Sequence, residues 1–434
     1  MNKEDITLIV DTVECKLGEI LTIERGGSPR PIKEFITDDK NGVNWIKIGD
    51  ATRSGKYILE TIQKIKPSGL KKSREVFPGD LLLSNSMSFG RPYIMGINGA
   101  IHDGWLVIRD NKRIDKNYLY HVLGSPYVFN QFSKSAKGST VRNLNIDIVS
   151  EVSIQLKPLP EQRAIVSKIE ELFSDLDKGI DDLKKAQAQL VIFRQAALKK
   201  AFEGEYPQKK IIEIADVNTG ATPKRGNSEF WENGTIPWVT STVVNNDFVN
   251  EPSELITENA IKQTNCKLIP KGSLLVAMYG EGKTRGKCSE LNIDTATNQA
   301  LAGITLFEEN KESKQFVKWF FVKNYEEIRL LSSGGVQPNL NLTIIKNTII
   351  PFPEHKQQIQ IAKEIESRLS VCDNVELSIV ESLKKAKALR QSILKKAFEG
   401  TLLSAEEIAE CKAAPDYEPA SVLLEKIKAE KKKP

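Results

Sequence analysis

The residues whose types and spacing come nearest to known chemistry are Ala277-Met278-Tyr279-Gly280-Glu281-Gly282-Lys283-Thr284, which follow an apolar run and end Gly-Lys-Thr. That order is close to a phosphate-binding loop, in which glycine amides wrap the phosphates and a lysine reaches them. The first glycine of the pattern is alanine here. Arg285-Gly286-Lys287-Cys288 then leads into a segment with little helical periodicity, so no helix N-terminus is expected to face a phosphate. A second candidate combines Pro415-Asp416 with Glu430-Lys431-Lys432, in outline a metal-dependent nuclease. That chemistry holds a metal between carboxylates on adjacent strands, and the residues between these two read as helix. His102, His121 and His355 are dispersed, and Cys15, Cys266, Cys288, Cys372 and Cys411 form no Cys-x-x-Cys pair, so neither a metal site nor a disulfide framework is expected. No Gly-x-Gly cofactor loop follows a first strand. The expectation is a chain with no catalytic residues and no cofactor of its own.

Binding is the chemistry these residue types do support. The first half carries Arg25, Arg30, Lys47, Arg53, Arg91, Lys137 and Arg142 in polar loops. The second carries Lys224, Arg225, Lys283, Arg285 and Lys287 in places that correspond. Asn85, Asn143, Asn245, Asn246 and Gln337 lie among them. Such a mixture neutralises phosphates and reads base edges, so these loops are expected to contact double-stranded DNA, Arg91 and Lys283 foremost. A net charge of +5 is mild, so the positive charge must be concentrated locally. No stretch approaches the roughly 18 apolar residues of a membrane span. The start Met1-Asn2-Lys3-Glu4-Asp5 lacks the basic-then-apolar pattern of a signal peptide, and a cytoplasmic location is expected.

The elements that must position these loops are duplicated. Arg194-Gln195-Ala196-Ala197-Leu198-Lys199-Lys200-Ala201-Phe202-Glu203-Gly204 recurs as Arg390-Gln391-Ser392-Ile393-Leu394-Lys395-Lys396-Ala397-Phe398-Glu399-Gly400, nine of eleven positions identical at an offset of 196. Asn143-Leu144-Asn145 recurs as Asn339-Leu340-Asn341. Pro158-Leu159-Pro160-Glu161 corresponds to Pro351-Phe352-Pro353-Glu354, and Gly26-Gly27-Ser28-Pro29 to Gly220-Ala221-Thr222-Pro223. Gly79 corresponds to Gly272 and Trp45 to Trp238. The ends of the halves match and the middles do not, which points to one scaffold bearing two recognition surfaces. Residues 15–158 and 210–353 show short β-like runs broken by Gly, Pro, Asn and Ser, the texture of mixed α/β domains.

Residues 161–202 and 356–398 hold no proline and one glycine, Gly179, and are rich in helix formers. Positions step by three and four through Ile165, Ile169, Leu172, Leu176, Gly179, Leu183, Ala186, Leu190, Phe193 and Ala197, and through Ile361, Ile365, Leu369, Cys372, Val375, Ile379, Leu383, Ala386, Leu389 and Ile393. Such stripes mark a coiled-coil seam, although a bundle core would show the same steps. Gly179 is expected at a close approach or bend. At about 1.5 Å per residue the first helix is a rod of roughly 63 Å, longer than one turn of B-DNA at roughly 34 Å. The fold class expected is α+β, with α/β domains at 1–160 and 205–355, long helices at 161–204 and 356–402, and a tail at 403–434. The final lysines are expected to be frayed.

With its Gly-x-[Ser/Thr]-Pro loops, Pro158-Leu159-Pro160-Glu161-Gln162, rods ending Lys-Lys-Ala-Phe-Glu-Gly, and the tail from Pro419 to Glu430, nearly the whole chain resembles the specificity subunit of type I restriction-modification systems. The resemblance implies two target-recognition domains, each reading one half of a bipartite DNA sequence. It implies two helices packed antiparallel in a pseudo-two-fold arrangement that sets the number of unread bases. It further implies two modification subunits that carry S-adenosylmethionine, and two restriction subunits that use ATP and Mg²⁺. A stand-alone DNA-binding regulator and a single-chain DNA-modifying enzyme are the alternatives. The second half departs from the pattern, because His355-Lys356 stand between Glu354 and Gln357-Gln358, which is expected to shift its rod by three residues. The near-identity of the rod ends is expected to serve two equivalent docking scaffolds for partners.

Overall fold

The computed structural model describes residues 11–85, 89–109, 113–135, 143–280, 283–330 and 339–432. The chain divides into two units, Met1–Asp182 with Glu381–Pro434, and Leu183–Val380. In the first unit a five-stranded sheet runs in the order Thr22–Arg25, Trp105–Arg109, Leu81–Ser84, Pro92–Met95, Tyr57–Ile58. In the second unit the order is Ala215–Thr219, Leu301–Leu306, Leu274–Ala277, Cys288–Leu291, Phe248–Val249. Both sheets are antiparallel except at the last edge, where Tyr57–Ile58 and Phe248–Val249 each pair in parallel. The central strands are nearly continuous apolar runs because both faces are covered. Leu81, Leu83, Leu106 and Ile108 join the core shared with the helices, while Leu82, Trp105 and Val107 face a second core. In the other unit Leu274, Val276, Ala302 and Ile304 alternate in the same way with Leu275, Ala277 and Leu301. The period of two distributes these side chains between the faces.

A second sheet follows in each unit: Ile36–Thr37, Gln63–Ile65, Val43–Ile46, Gly99–Ile101, Arg74–Val76 in the first, and Glu254–Ile256, Ile236–Val239, Thr295–Thr297, Leu268–Ile269 in the second. Val43–Ile46 with Gly99–Ile101, and Ile236–Val239 with Thr295–Thr297, are the parallel pairs. The domains thus repeat strand for strand, apart from one extra edge strand in the first. The duplication continues through the middle of each half, where the residues have diverged.

The long helices run Leu159–Ala201 and His355–Phe398. Each unit holds the start of one and the end of the other. In the first unit Ile165, Val166 and Ile169 share a core with Ile393, Leu394, Ala397 and Phe398. In the second, Leu198 and Phe202 share one with Ile365. Direction is fixed by matched ion pairs: Arg390 meets Asp177 in the first unit, and Arg194 meets Asp373 at 2.7 Å and Glu376 at 2.8 Å in the second. Residues late in one helix meet residues early in the other, so the packing in each unit is antiparallel. The seam departs from the stripe at Phe193, Val375 and Leu389, which are exposed, while Arg194 and Arg390 turn inward.

Several expectations change here. The helices start 196 residues apart, the offset of the repeated segment near their far ends, so the second rod is not shifted. Gln162 and Gln358, also 196 apart, are the equivalent residues. Both are buried, and the Nε2 of each donates to the carbonyl five residues back, Lys157 at 2.7 Å and Pro353 at 2.7 Å. The Pro-x-Pro-Glu letters match at a different offset and occupy different structural positions. An added Cβ at Gly179 would meet no atom within 4 Å, so no close approach explains that glycine. The apolar residues of the repeated segment are domain core: the Phe202 ring lies 5.1 Å from that of Phe316, and the Phe398 ring 5.6 Å from that of Tyr118. Packing within each unit accounts for the identical Leu, Ala and Phe. The tail ends in a helix, Ala420–Lys431, that buries Leu423, Leu424 and Ile427 in the first unit. Lys431 is not frayed, since its Nζ donates to the carbonyl of Leu21 at 2.7 Å.

Candidate nucleic-acid interface

The Gly-x-Ser/Thr-Pro loops leave the edge strands Thr22–Arg25 and Ala215–Thr219 and are pinned by backbone contact. A Cβ on Gly26 would lie 2.1 Å from the carbonyl oxygen of His102, and one on Gly220 1.8 Å from that of Thr297. Only glycine permits this approach. In the first domain the loop borders an open cleft of about 1000 Å³ with Arg30, Lys33, Trp45, Lys47 and His102 on its walls. Arg30 is 81% exposed, 3.8 Å from Asp103. The Asp103 carboxyl accepts from Ser28 Oγ at 2.6 Å, and that bond holds it below the usual carboxylate range. Burial pushes the His102 imidazole below its ordinary value, which leaves it neutral near pH 7. Arg25 donates from Nε to the Asp103 carbonyl at 3.3 Å. Lys47 is exposed, and Arg53 is committed to Asp50 at 2.6 Å.

In the second domain the loop presents Lys224 and Arg225. Lys224 is exposed, and its carbonyl accepts from the Asn227 N–H at 3.0 Å and from Trp231 Nε1 at 3.3 Å. Arg225 grips Glu254 with two hydrogen bonds and lies 4.0 Å above the Trp231 ring. Lys287 donates to Asn245 Oδ1 at 2.9 Å, which brings together two candidates from separate loops. The turn at 283–287 is held from behind: Tyr325 Oη donates to the Lys283 carbonyl at 2.6 Å, and Arg329 Nη1 to the Arg285 carbonyl at 2.9 Å. The strand Cys288–Leu291, not a helix, follows this turn.

Arg91 is exposed on the rim of a larger cleft in the first unit, about 1340 Å³, walled by Lys56, Tyr120, His121, Phe173 and Arg390. Asn85 is not presented at a surface. It is 2% exposed and donates from Nδ2 to the Asp103 carbonyl at 2.8 Å, so it braces the scaffold. Lys137, Arg142 and Gln337 lie outside the described residues. Asp416 and Glu430, the nuclease-like pair, are engaged by Arg163 and Arg113 respectively. No cluster of three metal-ligating side chains exists among the described residues. Sequence reading passes over Lys33, Trp231 and Glu254. Glu254 lies 29 residues from Arg225, and only the fold joins them.

His121, at the back of the larger cleft, is 5% exposed and its Nε2 has no hydrogen-bond partner among the described residues. Burial, with Lys56 and Arg390 nearby and Glu170 opposing them, pushes it down to about 4. The unfolded chain takes up this proton near pH 6.5 and the folded chain only near 4, so stability is complete above 6.5 and falls between those values. The loss is expected to approach about 3 kcal/mol, and the acid limb should disappear in His121→Leu. Chemical unfolding followed across pH checks both statements.

The profile of the family described as Type I restriction modification DNA specificity domain matches twice, over residues 9–185 and 203–385. The chain belongs to this family. Each match to the specificity domain covers one α/β domain and the first part of the helix after it. The StySPI specificity subunit of Salmonella potsdam, a type I restriction enzyme component, is 24% identical over 412 residues, 87% of each chain. The EcoKI specificity subunit of Escherichia coli (strain K12) is 23% identical over 409 residues, again 87% of each. Among solved structures, the HsdS subunit from Thermoanaerobacter tengcongensis shares the fold, with a TM-score of 0.62 at 19% identity over 93% of this chain and 100% of that one. No helix among the described residues is long and apolar enough to cross a membrane.

Proposed function

We propose that this chain is the DNA sequence-specificity subunit of a type I restriction-modification complex. Each α/β domain reads one half of a bipartite double-stranded target. The observation that carries the reading is the double match to the specificity domain on two domains of one strand order, whose loops are furnished differently. The first loop borders an open cleft with an exposed arginine, and the second closes an arginine against tryptophan and glutamate. One scaffold with unlike loops suits a target whose halves differ. The helices would dock two modification subunits, which carry S-adenosylmethionine and methylate adenine. Two restriction subunits using ATP and Mg²⁺ would complete the assembly, working in the cytoplasm.

Sequencing of methylated adenines in cells with and without this gene tests the reading. A bipartite motif that vanishes with the gene is the expected result, and an unchanged pattern would sink it. Inserting four residues, about one helical turn, near Leu183 is expected to lengthen the unread spacer with both half-sites unaltered. An unchanged spacer would show that the helices are not the ruler. The purified chain alone should neither methylate nor cleave DNA supplied with Mg²⁺, ATP and S-adenosylmethionine.

A further inference from the structure

We propose that Arg225 is a specificity-determining residue that reads a guanine in the half-site of the second domain, with Glu254 setting the orientation of its guanidinium. This rests on the DNA-reading function proposed above and names the chemistry at one position. Arg225 Nη1 donates to Glu254 Oε2 at 2.5 Å and Nη2 to Oε1 at 2.7 Å. Two of the five N–H groups of the fork are thereby used, and those of the side edge, Nε–H among them, are left for another acceptor. The plane is fixed as well as the direction, because the guanidinium carbon lies 4.0 Å above the Trp231 ring and 5.2 Å from that of Trp238. The two indoles are themselves perpendicular, 5.4 Å apart.

The loop beneath is equally constrained. Gly220 abuts the Thr297 backbone, and the Lys224 carbonyl is bonded by both Asn227 and Trp231. Yet the arginine side chain remains 54% exposed. An exposed ion pair usually gains little because ordering two long side chains costs entropy; here the bidentate geometry and the indole beneath hold the cation in place. A planar fork with a fixed free edge matches the O6 and N7 acceptors that guanine presents in the major groove. In the first domain Arg30 pairs with Asp103 at 3.8 Å and makes no cation–π contact among the described residues, so the two half-sites would be read by different chemistry.

The test uses the complex of the full chain with its modification subunits and reads the methylated motif. Arg225→Lys keeps the cation over the indoles and removes the fork. It is expected to lower discrimination at one G·C position on the order of 10- to 100-fold, with every other position of both half-sites retained. Glu254→Gln is expected to relax the same position more weakly. The proposal is overturned if Arg225→Lys and a folded Arg225→Ala both leave the motif intact. Equal weakening at all sequences, the signature of a phosphate contact, would overturn it too, as would a half-site lacking any G·C pair. A methylation pattern that does not depend on the wild-type gene would instead overturn the function on which it rests.

Discussion

Lys157→Met is expected to destabilise the first unit by about 3–5 kcal/mol, while Lys157→Met combined with Glu161→Leu returns it to within about 1 kcal/mol of the wild type. The side chains of Lys157 and Glu161 are 4% and 1% exposed, with 3.7 Å between Nζ and Oε2. Burial lowers the lysine and raises the glutamate, so each is driven toward its neutral form despite the partner. Asp11 pushes the glutamate further in that direction and Lys412 opposes it. Glu161 Oε1 has no hydrogen-bond partner among the described residues. Removing one charge leaves the other buried and uncompensated, whereas removing both replaces a strained pair with apolar packing. The second unit has Pro353 and Gln357 at the positions 196 residues on and should not respond. Hydrogen exchange in the paired strands Val13–Lys16 and Ser153–Leu156 reads the stability of the first unit by itself. Equal destabilisation in the single and double variants would show that the charges are not coupled.

Gly220→Ala is expected to cost the second domain about 3 kcal/mol and to blur one half-site, and Gly26→Ala to do the same to the first domain and the other half-site. The atoms that an added methyl would meet, at 1.8 and 2.1 Å, are backbone oxygens of buried or neighbouring sheet strands and their loops. A side chain could rotate away from the methyl, but a strand can yield only by losing its pairing. The loops displaced carry Lys224 and Arg225 in one domain and Arg30 in the other, so the loss should be confined to one half of the methylated motif. Gly179→Ala is the control: nothing lies within 4 Å, and helix propensity alone predicts a gain of up to about 1 kcal/mol. Methylated-motif sequencing of the three variants, with thermal melts, separates these outcomes. A half-site left intact by Gly220→Ala would place the reading surface elsewhere.

The long helices were legible from composition and from steps of three and four, because both are local properties. The inward turn of Arg194 and Arg390 was not, since it depends on Asp373 and Asp177, which stand opposite only after the helices pack. The duplication was legible where packing keeps identity, as at Leu198 and Phe202 against Leu394 and Phe398. It faded in the middle of each half, where the backbone order persists and the residues do not. Letters alone misled at Pro351-Phe352-Pro353-Glu354, because a chance match in a loop outweighed the helix register marked by Gln162 and Gln358.

By itself the sequence determined that the chain is doubled and that each copy ends in a long helix, because repeats and periodicity are properties of chain order. Only the tertiary structure decided which polar residues are exposed and which are held by a partner. It buried Asn85 against Asp103, left Arg30 exposed at a cleft, and brought Glu254 and Trp231 to Arg225. Strand pairing is the physical reason, since it joins residues far apart in the chain whose meeting no local pattern records.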